Sequence, residues 1–240
     1  MLKKEVKITI LLLAVLSYSI SLVYANDIIN FNEIRLFESN HECIDSFYKQ
    51  LQPAESKPSY KAFYKGILGY YSMLKEGKIQ NKKYLTLIDF SLSSKVRRLW
   101  VIDLEIMRII HNSLVAHGKS SGEEFAVKFS NTPESKMSSL GFYLTGSEYY
   151  GKYGLSLYLD GIEPGINDNA RKRAIVMHSA PYATGDFTFK FGRLGRSFGC
   201  PAVPPEKSTA IIEVIKDKSC LFIYYPSKSY FVKSKYLNSV

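Results

Sequence analysis

Between residues 41 and 77 apolar side chains recur every three or four positions, whereas from residue 84 onward they cluster or alternate. The segment "HECIDSFYKQL" sets Ile44, Phe47 and Leu51 at helical spacing. Pro53 and Pro58 in "QPAESKPS" then interrupt the pattern. It resumes in "SYKAFYKGILGYYSMLKEGKI", where Tyr60, Phe63, Ile67, Tyr71 and Leu74 predict a second helix ending near Gly77. The pair reads as a helical hairpin whose apolar face packs on the domain that follows.

That domain reads as β-rich. "YLTLIDFSL" and "RRLWVIDLEIMRIIHNSLVAHG" are strand-like runs of β-branched and aromatic residues, with a turn at Glu105-Ile106-Met107. The Ser- and Gly-rich stretch "GKSSGEEFAVKFSNTPESKMSSLG" predicts a surface loop. "GFYLTG" and "YGLSLYLDG" resume strands, "NDNARKRA" carries the capping residues of a short helix, and "AIVMHSA" reads as a short buried strand. "DFTFKF" alternates with the period of a strand, "PPEKSTAIIEVIKDK" predicts a helix opened by proline, and "CLFIYY" closes the core. Neither an internal repeat nor a low-complexity linker interrupts the chain.

The first 25 residues change the picture of where this domain works. Lys3, Lys4 and Lys7 precede an uncharged, largely apolar run from Ile8 to Leu16, and Val23-Tyr24-Ala25 offers a small-residue cleavage site. The expectation is a secretory signal cut after Ala25, rather than a lasting membrane anchor, because serines and a tyrosine dilute the apolar span. The expected layout is therefore a signal over 1–25, a helical segment over 26–83, a mainly β domain with short helices over 84–230 and a tail over 231–240. An exported protein belongs to the periplasm or cell envelope. The chain's net charge of +10 falls to +8 without the leader, since Glu5 offsets one of the three lysines. In that compartment anionic envelope polymers, lipid headgroups or acidic peptides are better partners for the charge than nucleic acid, with solubility alone as the plain alternative, and no membrane span is expected after cleavage.

Of the cysteines, Cys43, Cys200 and Cys220, an odd one must stay unpaired in an oxidising compartment. Cys43 lies in a helical segment, Cys220 opens a buried strand, and whether they pair is open. Cys200 lies in "GRLGRSFGCPAVPPE", a loop of small residues, arginines and prolines, and is the candidate functional thiol. A thiol nucleophile requires a base, oxyanion donors and access. His178 ends a predicted strand, and residues 179–196 give the chain room to return beside it. The amides of Gly199 and Cys200 are candidate oxyanion donors, and Pro201 has none to offer. Arg193 and Arg196 are candidates to hold a substrate carboxylate or favour thiolate. Each residue also has an ordinary structural use, in packing or as a solvated charge. Metal-ligand spacings, phosphate loops and dinucleotide fingerprints are missing from the sequence, so neither a metal nor another cofactor is expected.

With these residues in view, the chain resembles the murein L,D-transpeptidase catalytic domain family of YkuD-like cysteine transpeptidases. The signature is a histidine, a spacer of roughly 14–17 residues or slightly more, then Ser/Thr-x-Gly-Cys. His178, Ser197, Gly199 and Cys200 match it. The likeness extends over most of 84–226, through "LTLIDFSL", "VAHGKSSG", "FSNTPESKMSSLGFYLTG", "YGLSLYLDG", "NDNARKRAIVMH" and "GRLGRSFGCPAVP". It implies a β-sandwich or barrel fold, Cys200 as acyl-accepting nucleophile, and His178 as base, oriented by a main-chain carbonyl near Ser179. The implied donor is a peptidoglycan tetrapeptide stem that loses its terminal D-alanine. An amine of a second stem would then give a 3→3 cross-link, and water would give a carboxypeptidase. Phe198 and Ala202 depart from the wider pattern, which often has His and Arg or Asn there. Arg173, Arg193, Arg196, Ser197 and His117 become the candidates for substrate binding. The competing readings are a wall-binding module that has lost catalysis and a cysteine peptidase acting on proteins; acceptor and oligomeric state stay open.

Overall fold

The computed structural model describes residues 41–53 and 55–238, so the expected signal and its cleavage site lie outside the described residues. Helix α1 spans His41–Gln50 and α2 spans Tyr60–Lys75. Ser59 caps α2 by accepting from the Ala62 amide at 3.3 Å. The buried side of α2 includes Phe63, Ile67, Tyr70 and Met73, so its apolar stripe is rotated from the expected one, which took Tyr71 and Leu74. Gly69 permits the close approach, because a Cβ there would sit 1.9 Å from the Phe142 ring. Phe142 in turn stacks on Phe222, with centroids 4.2 Å apart.

The strands are β1 (Tyr84–Asp89), β2 (Leu99–Asp103), β3 (Arg108–Ser113), β4 (Gly141–Gly151), β5 (Gly154–Gly161), β6 (Val176–Ser179), β7 (Ala202–Val203) and β8 (Cys220–Tyr224). They form one eight-stranded sheet in the order β3-β2-β1-β8-β4-β5-β6-β7. The β1–β8 and β6–β7 pairs are parallel. Just beyond β3, Ala116 exchanges backbone hydrogen bonds with Ala202 of β7, at 2.8 and 3.4 Å. The two ends of the sheet order therefore meet, and the sheet is a nearly closed barrel. The fold is thus mainly β, with short helices and a helical N-terminal segment. Its core holds Leu85, Leu87, Trp100, Phe142, Leu157 and Phe222. Helices and sheet share one compact unit.

Three segments differ from the sequence expectation. "DFTFKF" lies in helix α3 (Gly185–Phe191), not in a strand. Parallel β6 and β7 need a crossover between them, and this segment supplies it. Thr184 caps its start and left-handed Gly192 (φ 72°) its end. "NDNARKRA" forms consecutive turns instead of a helix, ending at Ala174 with φ 53°. The expected C-terminal tail is packed. After α4 (Pro205–Ile215) and β8, α5 (Lys228–Lys233) leads to fully buried Tyr236. Tyr230 and Ser234 both donate to the buried Glu163 carboxylate.

Candidate active site

Strand pairing brings the motif together. His178 of β6 pairs with Ser156 of β5 on one side and with Ala202 of β7 on the other. Cys200 lies two residues before Ala202, at the entrance to β7. His178 and Cys200 line one cleft of about 720 Å³, with Arg173, Ala174, Tyr153, Tyr182, Lys136 and Glu134 among its other walls.

His178 is 4% exposed. Its Nδ1 lies 2.8 Å from the Ser179 carbonyl oxygen. A carbonyl only accepts, so Nδ1 carries the proton and Nε2 keeps its lone pair. Burial lowers the imidazole pKa below its ordinary value, and the bond to Ser179 opposes this in part. The ring is sandwiched on one side by Tyr153, with centroids 4.7 Å apart and planes 23° apart. The Ser179 hydroxyl donates to the Tyr153 carbonyl at 2.6 Å, so this residue fixes the imidazole through its carbonyl and the neighbouring hairpin through its side chain.

The Cys200 thiol is 3.7 Å from the Ala174 carbonyl. Burial raises its pKa, while the Val176 amide, the Arg173 charge and its own amide pull the other way. A lowered imidazole and a raised thiol on the same cleft both favour the neutral form at rest. Gly199 has φ 129°, and a Cβ would lie 2.8 Å from the Met137 carbonyl, so the thiol loop packs backbone to backbone on the cleft wall.

That wall is the Ser-rich stretch expected as a surface loop. It is an irregular, largely exposed loop as expected, and its inner side is held because its serines and Arg173 satisfy its backbone. Arg173 donates to the Ser130 and Met137 carbonyls at 2.7 and 2.6 Å and to Ser139 and Ser135 at 3.0 and 3.2 Å. Ser138 donates to the Gly199 carbonyl at 3.0 Å. Glu134, Lys136 and Ala174, all on the cleft, adopt positive φ of 58°, 56° and 53°. Such backbone persists only where its surroundings fix it, and Arg173 straps both sides of it.

Other expected site residues have different roles. His117 is fully buried away from the cleft lining: Arg98 Nη2 donates to its Nδ1 at 2.8 Å and its Nε2 lies 3.3 Å from the Gly122 carbonyl. Burial, then the Arg98 charge, lowers its pKa to about 4. It is a neutral core histidine and binds no substrate in the cleft. The Ser197 hydroxyl is spent within the thiol loop, accepting from the Gly199 amide at 3.0 Å and donating to the Cys200 carbonyl at 2.6 Å. The Gly199 amide is therefore occupied, and the Cys200 amide is the donor left at this position. Arg193 pairs with Glu123 at 3.1 Å and does not line the cleft. Arg196 lines it but shares Glu123 at 2.5 Å. Arg173 touches the cleft, yet its hydrogen bonds go to the wall, so it positions more than it binds. Cys43 and Cys220 are free thiols, as is Cys200.

Sequence reasoning missed Tyr153, Tyr182, Glu134 and Lys136. Tyr153 was detectable only as the tip of the β4–β5 hairpin; nothing local tied that tip to the end of β6.

Comparisons with known proteins identify the domain family. The L,D-transpeptidase catalytic domain profile matches residues 54–224. No curated protein matches the chain. Similar solved structures include an L,D-transpeptidase from Mycobacterium smegmatis, 11% identical with TM-score 0.37, covering 60% of this chain and 59% of its own. A helical cell shape determining protein from Campylobacter jejuni is 16% identical with TM-score 0.40, covering 72% of this chain and 58% of its own. An L,D-transpeptidase from Stackebrandtia nassauensis is 12% identical with TM-score 0.35 and covers 77% of each chain. The chain thus spans under three-fifths of the length of the first two.

Proposed function

The chain belongs to the L,D-transpeptidase catalytic domain family, and from that premise we propose that it is an exported cysteine acyltransferase acting on peptidoglycan tetrapeptide stems in the periplasm or cell envelope. The observation that carries the proposal is His178 with Nδ1 held at 2.8 Å by the Ser179 carbonyl, on the same cleft as a free Cys200.

In the proposed reaction His178 Nε2 takes the thiol proton as sulfur attacks the carbonyl between the third residue of the stem and its terminal D-alanine. The Cys200 amide holds the oxyanion, and one such donor is worth about 3 kcal/mol. The protonated imidazole returns its proton to the leaving amine. D-alanine departs and a thioester remains on Cys200. An amine from a second stem, deprotonated by His178, then attacks and regenerates the thiol, leaving a 3→3 cross-link; water in its place trims the stem. Arg173 supplies positive charge beside the developing thiolate.

Mass spectrometry of muropeptides incubated with wild-type and Cys200→Ala protein tests this. D-alanine loss and a cross-linked or trimmed product from the wild type alone are expected. Equal product from both proteins would remove Cys200 from the reaction, and a folded wild-type protein without product would leave a wall-binding module.

A further inference from the structure

Helix α3 leaves the cleft wall after Tyr182 and rejoins it before Arg196, both of which line the cleft. Its root is rigid. The Gly195 amide donates to the Tyr182 carbonyl at 2.8 Å. Leu194 is fully buried among Ala116, Ala180, Ala183 and Ala202. The arm itself buries none of its residues, and it is held by its two caps. Phe189 is 95% exposed and Phe191 55%. Exposed aromatic side chains grouped at the rim of a cleft are a mark of a binding surface.

Their arrangement restricts what can cover them. At about 100° per residue, Phe187 and Phe191 fall on one side of α3 and Phe189 on the opposite side. The Phe187 and Phe191 rings are in contact, with centroids 4.3 Å apart. Asp186, Thr188 and Lys190 alternate with them. A helix that lies on a bilayer needs one continuous apolar stripe with polar residues opposite, and α3 lacks it. Instead it offers separate aromatic planes. Phe198, 69% exposed on the cleft, adds another. Lys190 lies 5.4 Å from the Phe191 ring and Lys136 5.3 Å from Phe198. The open Phe189 ring and the ammonium groups held near Phe191 and Phe198 suit a strand of sugar rings beside the cleft: C–H faces stack on the exposed aromatic and the ammonium groups donate to hydroxyl and N-acetyl oxygens.

We infer that α3 is a glycan-binding arm, which grips the sugar strand of peptidoglycan beside the stem that enters the cleft. The inference rests on the reading of the cleft as a stem-peptide site, but its test does not depend on turnover. Full-length Cys200→Ala protein is titrated with soluble glycan strands stripped of their peptides, and separately with phosphatidylglycerol vesicles. Strand binding that Phe189→Ser with Phe191→Ser weakens about tenfold or more, at unchanged melting temperature, is the expected result. Absence of strand binding, or binding indifferent to the double substitution, overturns it. So does a double substitution whose effect is to abolish vesicle binding or a dimer instead. In the otherwise wild-type enzyme the same two substitutions should lower kcat/KM for glycan-attached stems and spare the free tetrapeptide. If the wild type turns over neither substrate, the acyl-transfer reading fails while the strand titration still decides the arm.

Discussion

Two buried histidines sit on either side of the thiol loop's anchoring strands, and they illustrate what burial alone does not determine. His178 has one nitrogen closed by the Ser179 carbonyl and its ring on the cleft. His117 has both nitrogens engaged, by Arg98 and by the Gly122 carbonyl. Desolvation lowers both pKa values. Only the first leaves a ring nitrogen without a partner, on a ring that lines the cleft. The proposed base is the histidine with an imbalance of partners, one nitrogen fixed and the other open, whereas the balanced histidine serves as a core strut.

The sharpest way to break this contrast is substitution of His178. His178→Ala should lower acyl transfer about 10²–10⁴-fold with little change in melting temperature. A rate within threefold of wild type would mean that another group is the base. His117→Leu should do the reverse. It strands the buried Arg98 donor, so stability should fall by about 1–3 kcal/mol in urea titration while kcat stays within a few-fold of wild type. Loss of kcat in a protein of unchanged stability would place His117 in the reaction.

Acid sharpens the contrast further. The folded-state pKa of His117, about 4, lies below the unfolded value of about 6.5, so the unfolded chain binds the proton first. The stabilisation is therefore present above about pH 6.5 and lost as pH falls toward 4, by up to about 3 kcal/mol. His178 shifts in the same direction, so the loss should shrink but persist in His117→Leu. Unfolding midpoints at pH 7 and pH 4.5 measure it, and a stability that does not decline would contradict the assignment. For activity, the lowered pKa of His178 keeps the base neutral, so the acid limb of kcat/KM should lie below about pH 6.5. A limb at or above pH 7 would oppose a neutral resting pair. The smallest effect is expected at Arg193→Ala, whose half-exposed ion pair with Glu123 stands outside the cleft lining; kcat/KM should stay within about twofold.

The difference between the histidines was only half legible in the chain. His178 and Cys200 share one cleft, as expected from their local spacing, because the parallel β6–β7 pairing brings their segments together. His117 stood as a candidate for substrate binding, and its burial against Arg98, 19 residues earlier, is a product of tertiary closure that no spacing rule reports. The same limit governs the arginines: Glu123, which pairs with Arg193 and Arg196, lies some seventy residues away in sequence. "DFTFKF" has a strand's period yet makes a capped helix, because the crossover and its caps prevail over alternation where nothing packs on either face. The Ser-rich wall is the loop its composition predicts, but the residue that ties down its inner side, Arg173, belongs to a different turn.

The most direct test of the central claim, a thioester on Cys200 formed with the help of His178, is intact-protein and peptide mass spectrometry after rapid acid quench of the protein with a tetrapeptide stem. The prediction is a gain equal to the stem less D-alanine, located on the tryptic peptide from Ser197 to Lys207, strongly slowed by His178→Ala and absent in Cys200→Ala. An adduct on Cys43 or Cys220 with Cys200 unmodified, or continued D-alanine release by Cys200→Ala protein, would contradict it.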